Sequence, residues 1–285
     1  MGHTFYDKSK IESLHHIEIN NFTGKGCLTN GREEISMSFT NLPLMEQIHA
    51  RVNKTLSNGI QLNMSTDESK KLLRRHVNSK TNLVILFIDI NNSTQMSLSL
   101  PENKFALMIQ TFAQEISIAA SGYGGYVFKY EGDAVIVLFP AGYDQAKACK
   151  NALSCSRAIL EIIKEVINPA FKANELPEIK VRIGLAYGDA LVVLYGKSLE
   201  KAHIDIIGSS ISMAVKIASV AKPNQVLVGE FIYNILLSSS SHKDFLNNSK
   251  FIEVTLDPLK WNYHSHFNPG SIYRVYEYLE NNQLA

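Results

Sequence analysis

The chain has few of the residues that build disulfide frameworks or thiolate metal sites. Its 285 residues include three cysteines, Cys27, Cys149 and Cys155, and no Cys-x-x-Cys pair. Cys149 and Cys155 stand six residues apart in a stretch of helical pattern. We predict that these two are buried small apolar residues of a reduced protein, and not ligands or disulfide partners.

Long apolar runs and a strong net charge are also missing. No segment approaches the ~20 apolar residues that span a bilayer, and residues 1–10 carry charges with no apolar signal-peptide core behind them. The formal net charge is +1, which gives no overall field to attract nucleic acid or an acidic membrane. We therefore expect a cytoplasmic protein with no membrane or nucleic-acid partner, in which any site for a polyanion is local.

The composition is that of a globular protein, with 45% apolar and 19% charged residues. Residues 1–64 give weak signals: short alternating segments at 17–19 and 35–39 resemble strands, and we interpret this part as a small N-terminal extension of unknown role. A capping-box pattern, Ser65-Thr66-Asp67-Glu68, then predicts a connecting helix over residues 65–80.

Residues 81–285 alternate between strand and helix patterns. A buried strand is predicted at Leu83–Asp89, and a long helix after Pro101. Two hairpins are predicted, one about residues 131–133 and one about Gly188-Asp189, and a helix is predicted at 209–220. The order βαββαββαβ predicts an α+β fold with one mostly antiparallel sheet and helices on one face.

Two carboxylates stand out in this pattern. Asp89 ends an apolar strand, where a charge is costly unless it is paired or bound to a metal. Asp133 lies at the tip of a hairpin whose strands would lie beside that first strand. With the main-chain oxygen of Ile90, the two aspartates would form an oxygen-only site suited to Mg²⁺. Taken singly, Asp89 also fits a cap of the following turn and Asp133 an ordinary turn residue.

The residues after Asp89 favour the metal interpretation. Asn91, Asn92, Ser93 and Thr94 form a polar loop that leads into a helix. Main-chain N–H groups at a helix N-terminus can meet a phosphate, whereas simple capping would use only one of these residues. The combination predicts a site for a triphosphate and its metal.

Four segments, taken in order, resemble the motifs of class III adenylyl and guanylyl cyclases. They are Phe87–Thr94, Gly124–Ala134, Arg182–Asp189 and Asp205–Gly208. The resemblance implies a ferredoxin-like cyclase core over residues 81–285, in which two copies meet head-to-tail and share each active site. It also implies the reaction, which closes a nucleoside triphosphate into a 3′,5′-cyclic monophosphate and releases pyrophosphate.

The resemblance also implies residue roles. Asp89 and Asp133 match the pair that holds two Mg²⁺ or Mn²⁺, and Lys129 and Asp205 match the positions that contact the base. Lysine with aspartate is the combination associated with adenine, whereas a guanine reader would need a carboxylate at position 129. Lys260 would hold the triphosphate. By themselves, Lys129 also fits a solvated strand residue and Asp205 a carboxylate at a helix entry.

Two positions depart from the family pattern. Ser212 stands where the family has the asparagine that orients the ribose, and Lys216 where it has the arginine that stabilises charge on the transferring phosphoryl group. The two residues share a helix face, but lysine lacks the planar fork of arginine, and the loss of one such donor can cost ~10²–10³ in rate. The two changes are compatible with a slower enzyme, a shifted substrate or compensating residues. Three hypotheses remain open: a cyclase of ATP, a cyclase of pyrimidine triphosphates, and a regulatory module that binds a nucleotide without turnover.

Overall fold

The structure is a computed structural model that describes residues 42–60, 62, 64–198, 201–239 and 243–280. The strands predicted at 17–19 and 35–39, and Cys27, lie outside these ranges. The helices are α1 (Leu42–Asn58), α2 (Asp67–Arg74), α3 (Ser93–Ser99), α4 (Glu102–Gly122), α5 (Gln145–Ile162), α6 (Asn168–Ala173), α7 (Ser209–Val220), α8 (Glu230–Ser238) and α9 (Lys243–Asn247). The strands are β1 (Lys80–Ile90), β2 (Tyr126–Glu131), β3 (Ala134–Pro140), β4 (Val181–Tyr195), β5 (His203–Ile207), β6 (Gln225–Gly229), β7 (Ser249–Glu253) and β8 (Val275–Glu280).

These strands form one open, mostly antiparallel sheet in the order β2-β3-β1-β4-β6-β8-β7, with β5 paired to β4. The only parallel pairing among the named strands is β4 with β6. The α+β class and the mostly antiparallel sheet predicted from the sequence are confirmed. The central strand β1 pairs along its whole length with β4, from Lys80 opposite Leu191 to Ile90 opposite Val181.

Helices lie on both faces of this sheet, whereas the sequence pattern predicted one face only. Val84, Leu86 and Ile88 of β1 belong to the core beneath α4, α5 and α8. Leu83, Ile85 and Phe87 belong to a second core beneath α2 and α7. The reason is that β1 is apolar at nearly every position, so each of its faces needs a cover.

The second predicted hairpin, about Gly188-Asp189, is wrong. The chain runs through these residues as one 15-residue strand, β4, and the hairpin lies further on, between β4 and β5. Gly184 and Gly188 allow α7 to pack closely against β4, and neither forms a turn. A Cβ on Gly184 would stand 2.3 Å from the Ala214 carbonyl oxygen of α7, and one on Gly188 would stand 3.1 Å from the Ser210 side chain.

The end of the predicted N-terminal extension is an ordered helix. Ile48 and Val52 of α1 are buried in the same core as α4. A buried polar contact adds to this packing: Arg51 donates to the Glu115 carboxylate of α4 from Nη2 at 2.6 Å and from Nε at 2.9 Å. Because α1 shares the core, residues 42–58 form part of the domain's packing.

Cys149 and Cys155 are buried free thiols, as predicted. The helix predicted over 65–80 is shorter than expected, since α2 ends at Arg74 and Val77 makes a bridge to Val192. In the described ranges, no helix is both long and apolar enough to cross a membrane.

Candidate active site

Asp89 and Asp133 are brought together by the pairing of β1 with β3. Asp89 lies opposite Ala134, the residue that follows Asp133, so the turn between β2 and β3 places the second carboxylate beside the first. Burial raises the pKa of Asp89, and the charge of Asp133 and a hydrogen bond with it act in the same direction. Arg182 acts against them. Two carboxylates held this close repel each other unless a cation lies between or beside them.

Arg182 is a residue of this site that the sequence argument did not single out. It is the register partner of Asp89 across β1 and β4, and its Nη2 donates to the Asp89 carboxylate. Arg182 begins the third of the four segments that resemble the cyclase motifs, Arg182–Asp189. Its position opposite Asp89, however, depends on strand pairing over 93 residues of sequence separation, which no local pattern shows.

The carboxylate pair suits a divalent cation. Asp133 Oδ2 is buried and has no hydrogen-bond partner among the described residues. The Ile90 side chain is buried in the core and has no ligand atom, so only its main-chain oxygen could join the pair. No group of three or more His, Cys, Asp or Glu able to hold a metal occurs in the described part of the chain. The unpartnered oxygen of Asp133 beside a second carboxylate fits Mg²⁺ or Mn²⁺, which is commonly held by one or two carboxylates and takes its other ligands from water and phosphate oxygens.

A cavity of about 430 Å³ connects the second carboxylate to the predicted phosphate loop. It is lined by Ser93, Thr94, Ser97, Phe105, Ala106, Ile109, Gln110, Gly132 and Asp133. Asn92, at φ 61°, turns the chain into α3. The Asn91 amide is committed elsewhere, since it donates to the Lys180 carbonyl at 2.8 Å. The Asn91 N–H is therefore not available to bind a phosphate, contrary to the prediction. Of the four loop residues, Ser93 and Thr94 line the cavity.

The predicted base-contacting residues form an ion pair. Lys129 Nζ lies 2.6 Å from Asp205 Oδ2, and about a quarter of each side chain is exposed, 26% and 22%. An irregularity in the β2–β3 register at residues 127–129 accompanies the turn of Lys129 toward Asp205. Burial acts to raise the pKa of Asp205, but hydrogen bonds from Lys129 and from the Ile206 N–H outweigh it, and the pKa lies below its usual value.

Three predicted residues are exposed. Ser212 and Lys216 stand one turn apart on the outer face of α7, whose inner face is buried against the sheet. Lys260 lies in a turn in which the N–H groups of Lys260 and Trp261 both donate to the Asp257 carbonyl at 2.9 Å. The buried Trp261 indole, which donates to the Tyr273 carbonyl at 2.8 Å, anchors that turn.

The profile of the adenylate and guanylate cyclase catalytic domain matches residues 76–255, which is more than half of the chain. The cytidylate cyclase of Staphylococcus aureus is 27% identical over 154 residues, covering 53% of this chain and 36% of the relative. The cytidylate cyclase of Escherichia coli is 23% identical over 155 residues, covering 52% and 34%. The chain thus spans about a third of the length of these curated relatives.

Solved structures show the same fold. The adenylyl cyclase CyaB from P. aeruginosa superposes with a TM-score of 0.58 at 19% identity, covering 71% of this chain and 96% of that one. The guanylate cyclase domain of RhGC from Catenaria anguillulae, in complex with GTP, gives 0.56 at 17% identity, covering 71% and 98%. With the match over residues 76–255 and the paired aspartates, these findings identify the chain as a member of the adenylate and guanylate cyclase catalytic domain family.

Proposed function

We propose that this chain converts ATP to 3′,5′-cyclic AMP and pyrophosphate. The observation that carries the proposal is the half-buried carboxylate of Asp133, whose Oδ2 is buried and has no hydrogen-bond partner among the described residues. It lies against Asp89 and lines the same cavity as Ser93 and Thr94. Such an arrangement offers a cation site in the wall of a cavity of about 430 Å³, which has room for several phosphate groups.

The chemistry needs a new bond between the ribose O3′ and the α-phosphorus, while the bond from that phosphorus to the pyrophosphate oxygen breaks. Two Mg²⁺ or Mn²⁺ held by Asp89, Asp133 and the Ile90 main-chain oxygen would lower the pKa of the 3′-hydroxyl and neutralise charge on the leaving group. Arg182 keeps one positive charge beside the pair. No covalent intermediate on the protein is required.

Other residues would position the nucleotide. Ser93, Thr94 and Lys260 would hold the pyrophosphate portion. Ser212 would orient the ribose through its hydroxyl, and Lys216 would place an ammonium near the transferring phosphoryl group. Both lie on the exposed face of α7, so nothing on their own helix covers them.

The Lys129–Asp205 pair supports the choice of adenine. Adenine presents a ring-nitrogen acceptor, N1, next to an amino donor, N6. The Lys129 ammonium has three donors, so it can keep its contact with Asp205 and also donate to N1. The carboxylate can accept from the amino group through its remaining lone pairs. Guanine presents the reverse pattern on this edge, with a donor at N1 and an acceptor at O6. The ammonium would then face a donor and the carboxylate an acceptor, and such a mismatch of polar groups discriminates against the base.

We propose that two copies share each site, one supplying Asp89 and Asp133 and the other Lys129, Asp205, Ser212 and Lys216. A complementation experiment tests this. Asp133→Asn and Lys129→Glu variants should each be inactive with ATP. Mixing and refolding them together should restore about a quarter of wild-type activity, because half of the dimers are mixed and each mixed dimer has one intact site. A mixture that stays inactive while the variants dimerise would rule out the shared site.

The central experiment supplies the purified protein with each of the four nucleoside triphosphates and Mn²⁺, and identifies products by mass. Cyclic AMP should form, and Asp89→Ala and Asp133→Asn should each reduce its rate by at least ~10². Asp67→Asn, an exposed aspartate of α2, is the matched control and should leave the rate unchanged. Metal-dependent binding of ATP without pyrophosphate release would instead identify a regulatory nucleotide-binding module.

CTP is the second candidate substrate. The two cytidylate cyclase relatives favour it, and so does base chemistry. Cytosine places a ring-nitrogen acceptor, N3, beside an amino donor, N4, in the same arrangement as N1 and N6 of adenine. The Lys129–Asp205 pair would therefore favour ATP and CTP over GTP and UTP. The choice between ATP and CTP would depend on the size of the base. Cyclic CMP as the main product would establish this alternative.

A further inference from the structure

The β4–β5 hairpin presents an outer face that the roles proposed above leave unassigned, apart from Asp205. We call residues 191–195 and 203–207 the arm. Alternate residues of the arm are buried in the second core: Val192, Ile204 and Ile206. The others form three cross-strand pairs on the outer face, Leu191 with Ile207, Val193 with Asp205, and Tyr195 with His203. The base-contacting carboxylate thus lies in the middle of an otherwise apolar and aromatic surface.

One ring of this face contacts the Asp205 carboxylate, and a second ring stacks on the first. The Tyr195 and His203 rings are stacked, with centroids 6.1 Å apart and planes at 29°. His203 Nε2 lies 3.5 Å from Asp205 Oδ2, the same oxygen that contacts Lys129. A continuous series of contacts therefore runs from Lys129 through Asp205 and His203 to Tyr195. Tyr195 is 58% exposed and the His203 side chain 61% exposed, so ring surface is open to a ligand.

We infer that Tyr195 and His203 form the surface on which the nucleobase stacks while Lys129 and Asp205 contact its edge. Edge contacts recognise donors and acceptors, whereas stacking on an aromatic ring serves any base, because every base has a π-face. The two contributions would thus be separable: the ion pair selects the base, and the ring pair holds it. His203 has a second, positioning effect, because its contact orients the Asp205 carboxylate.

The inference rests on the proposed function for its ligand, and its test separates the two. We would measure Kd for 3′-deoxy-ATP and 3′-deoxy-CTP, which lack the attacking hydroxyl and so report binding without turnover. Base-aromatic stacking contributes ~1–3 kcal/mol per base. Tyr195→Leu should therefore weaken binding of both analogues by about tenfold, whereas Tyr195→Trp should bind at least as tightly as wild type.

The same variants are then assayed for turnover. Tyr195→Leu should raise KM by the same factor as Kd and leave kcat unchanged. His203→Phe should keep the stacking but relax the discrimination between ATP and GTP, since Asp205 loses one contact. Tyr143→Leu, which changes a fully exposed tyrosine outside the arm, is the matched control and should alter neither constant.

Unchanged Kd in Tyr195→Leu, with wild-type protein that binds the analogues, would overturn the stacking surface. So would a loss of activity in Tyr195→Leu that is recovered at high protein concentration, because the arm would then be a contact with a second copy. If wild-type protein binds both analogues through Tyr195 but makes no cyclic product from any triphosphate, the proposed function fails and the stacking surface stands.

Discussion

The buried ion pair between α1 and α4 makes a sharp prediction about the role of the residues before the family domain. The Glu115 side chain is 0% exposed and that of Arg51 is 21% exposed. Besides Arg51, the carboxylate accepts from Gln114 Nε2 at 3.2 Å. Arg51→Ala would therefore leave a buried carboxylate with one neutral partner, and breaking a buried pair in this way costs about 3–5 kcal/mol.

That loss is a large share of the total stability of a domain, ~5–15 kcal/mol. Thermal and urea unfolding should show it, with a fall in Tm of about 10 °C for a domain of this size. An Arg51→Met/Glu115→Leu double variant should be as stable as wild type or more so, because an apolar pair avoids the desolvation cost. Lys70→Ala removes the exposed pair with Asp67, whose side chains are 46% and 71% exposed, and should change stability by less than ~0.5 kcal/mol.

The comparison between single and double variants decides the question. If Arg51→Ala unfolds within about 1 kcal/mol of wild type, or if the double variant loses as much as the single one, the ion pair does not hold α1 to α4. A chain that begins at residue 65 and unfolds like the full chain would show that α1 contributes nothing to the domain. Either result would refute the reasoning from burial.

Three further predictions follow from the site. Gly184→Ala should lower the free energy of unfolding by about 1–3 kcal/mol and lower cyclase activity, because the added Cβ would stand 2.4 Å from the Ala218 amide nitrogen of α7. Gly142→Ala, with open space around it, is the control in the same unfolding and activity assays. In acid titrations of stability, Lys129→Met should lose less stability than wild type as pH falls below 3.8, the usual pKa of aspartate. The sign follows from the lowered pKa of Asp205 in the folded state. Its stabilising effect is complete above 3.8 and is lost as pH falls through the folded-state pKa. The same loss of stability with falling pH in both proteins would contradict this prediction. Ser212→Asn/Lys216→Arg should raise kcat by up to ~10² by restoring the planar donor, with Lys222→Arg as control; an unchanged kcat would mean that the lysine already performs the role.

Local patterns in the sequence predicted much of the architecture. The helix at 209–220 was placed to the residue, because an apolar stripe between polar boundaries specifies a helix with little help from the rest of the chain. The strands β1, β2 and β3 were placed within a few residues for a similar reason. The proximity of Asp89 and Asp133 was also predicted, because the element order places the hairpin that carries Asp133 beside the strand that ends at Asp89.

Glycine was the main source of error. Gly188 was interpreted as a turn former, which is its usual role. In the folded chain, Gly184 and Gly188 instead give α7 room to approach β4. A turn and a close approach both require the absence of a side chain, and the sequence does not distinguish them. The prediction of helices on one face only failed for a related reason. An apolar strand such as β1 shows that both of its faces are buried, but it does not show which elements bury them.

By itself, the sequence determined most of the helices and strands and the family resemblance, which depend on residues close together in the chain. The carboxylate pair was predicted from the order of those elements. Only the tertiary structure decided that Arg182 faces Asp89, that Glu115 pairs with Arg51 and that His203, stacked on Tyr195, contacts Asp205. The first two contacts join residues 93 and 64 positions apart. The third depends on the register of a hairpin. Such pairings are set by how the whole core closes, and so they carry no periodic signal in the chain.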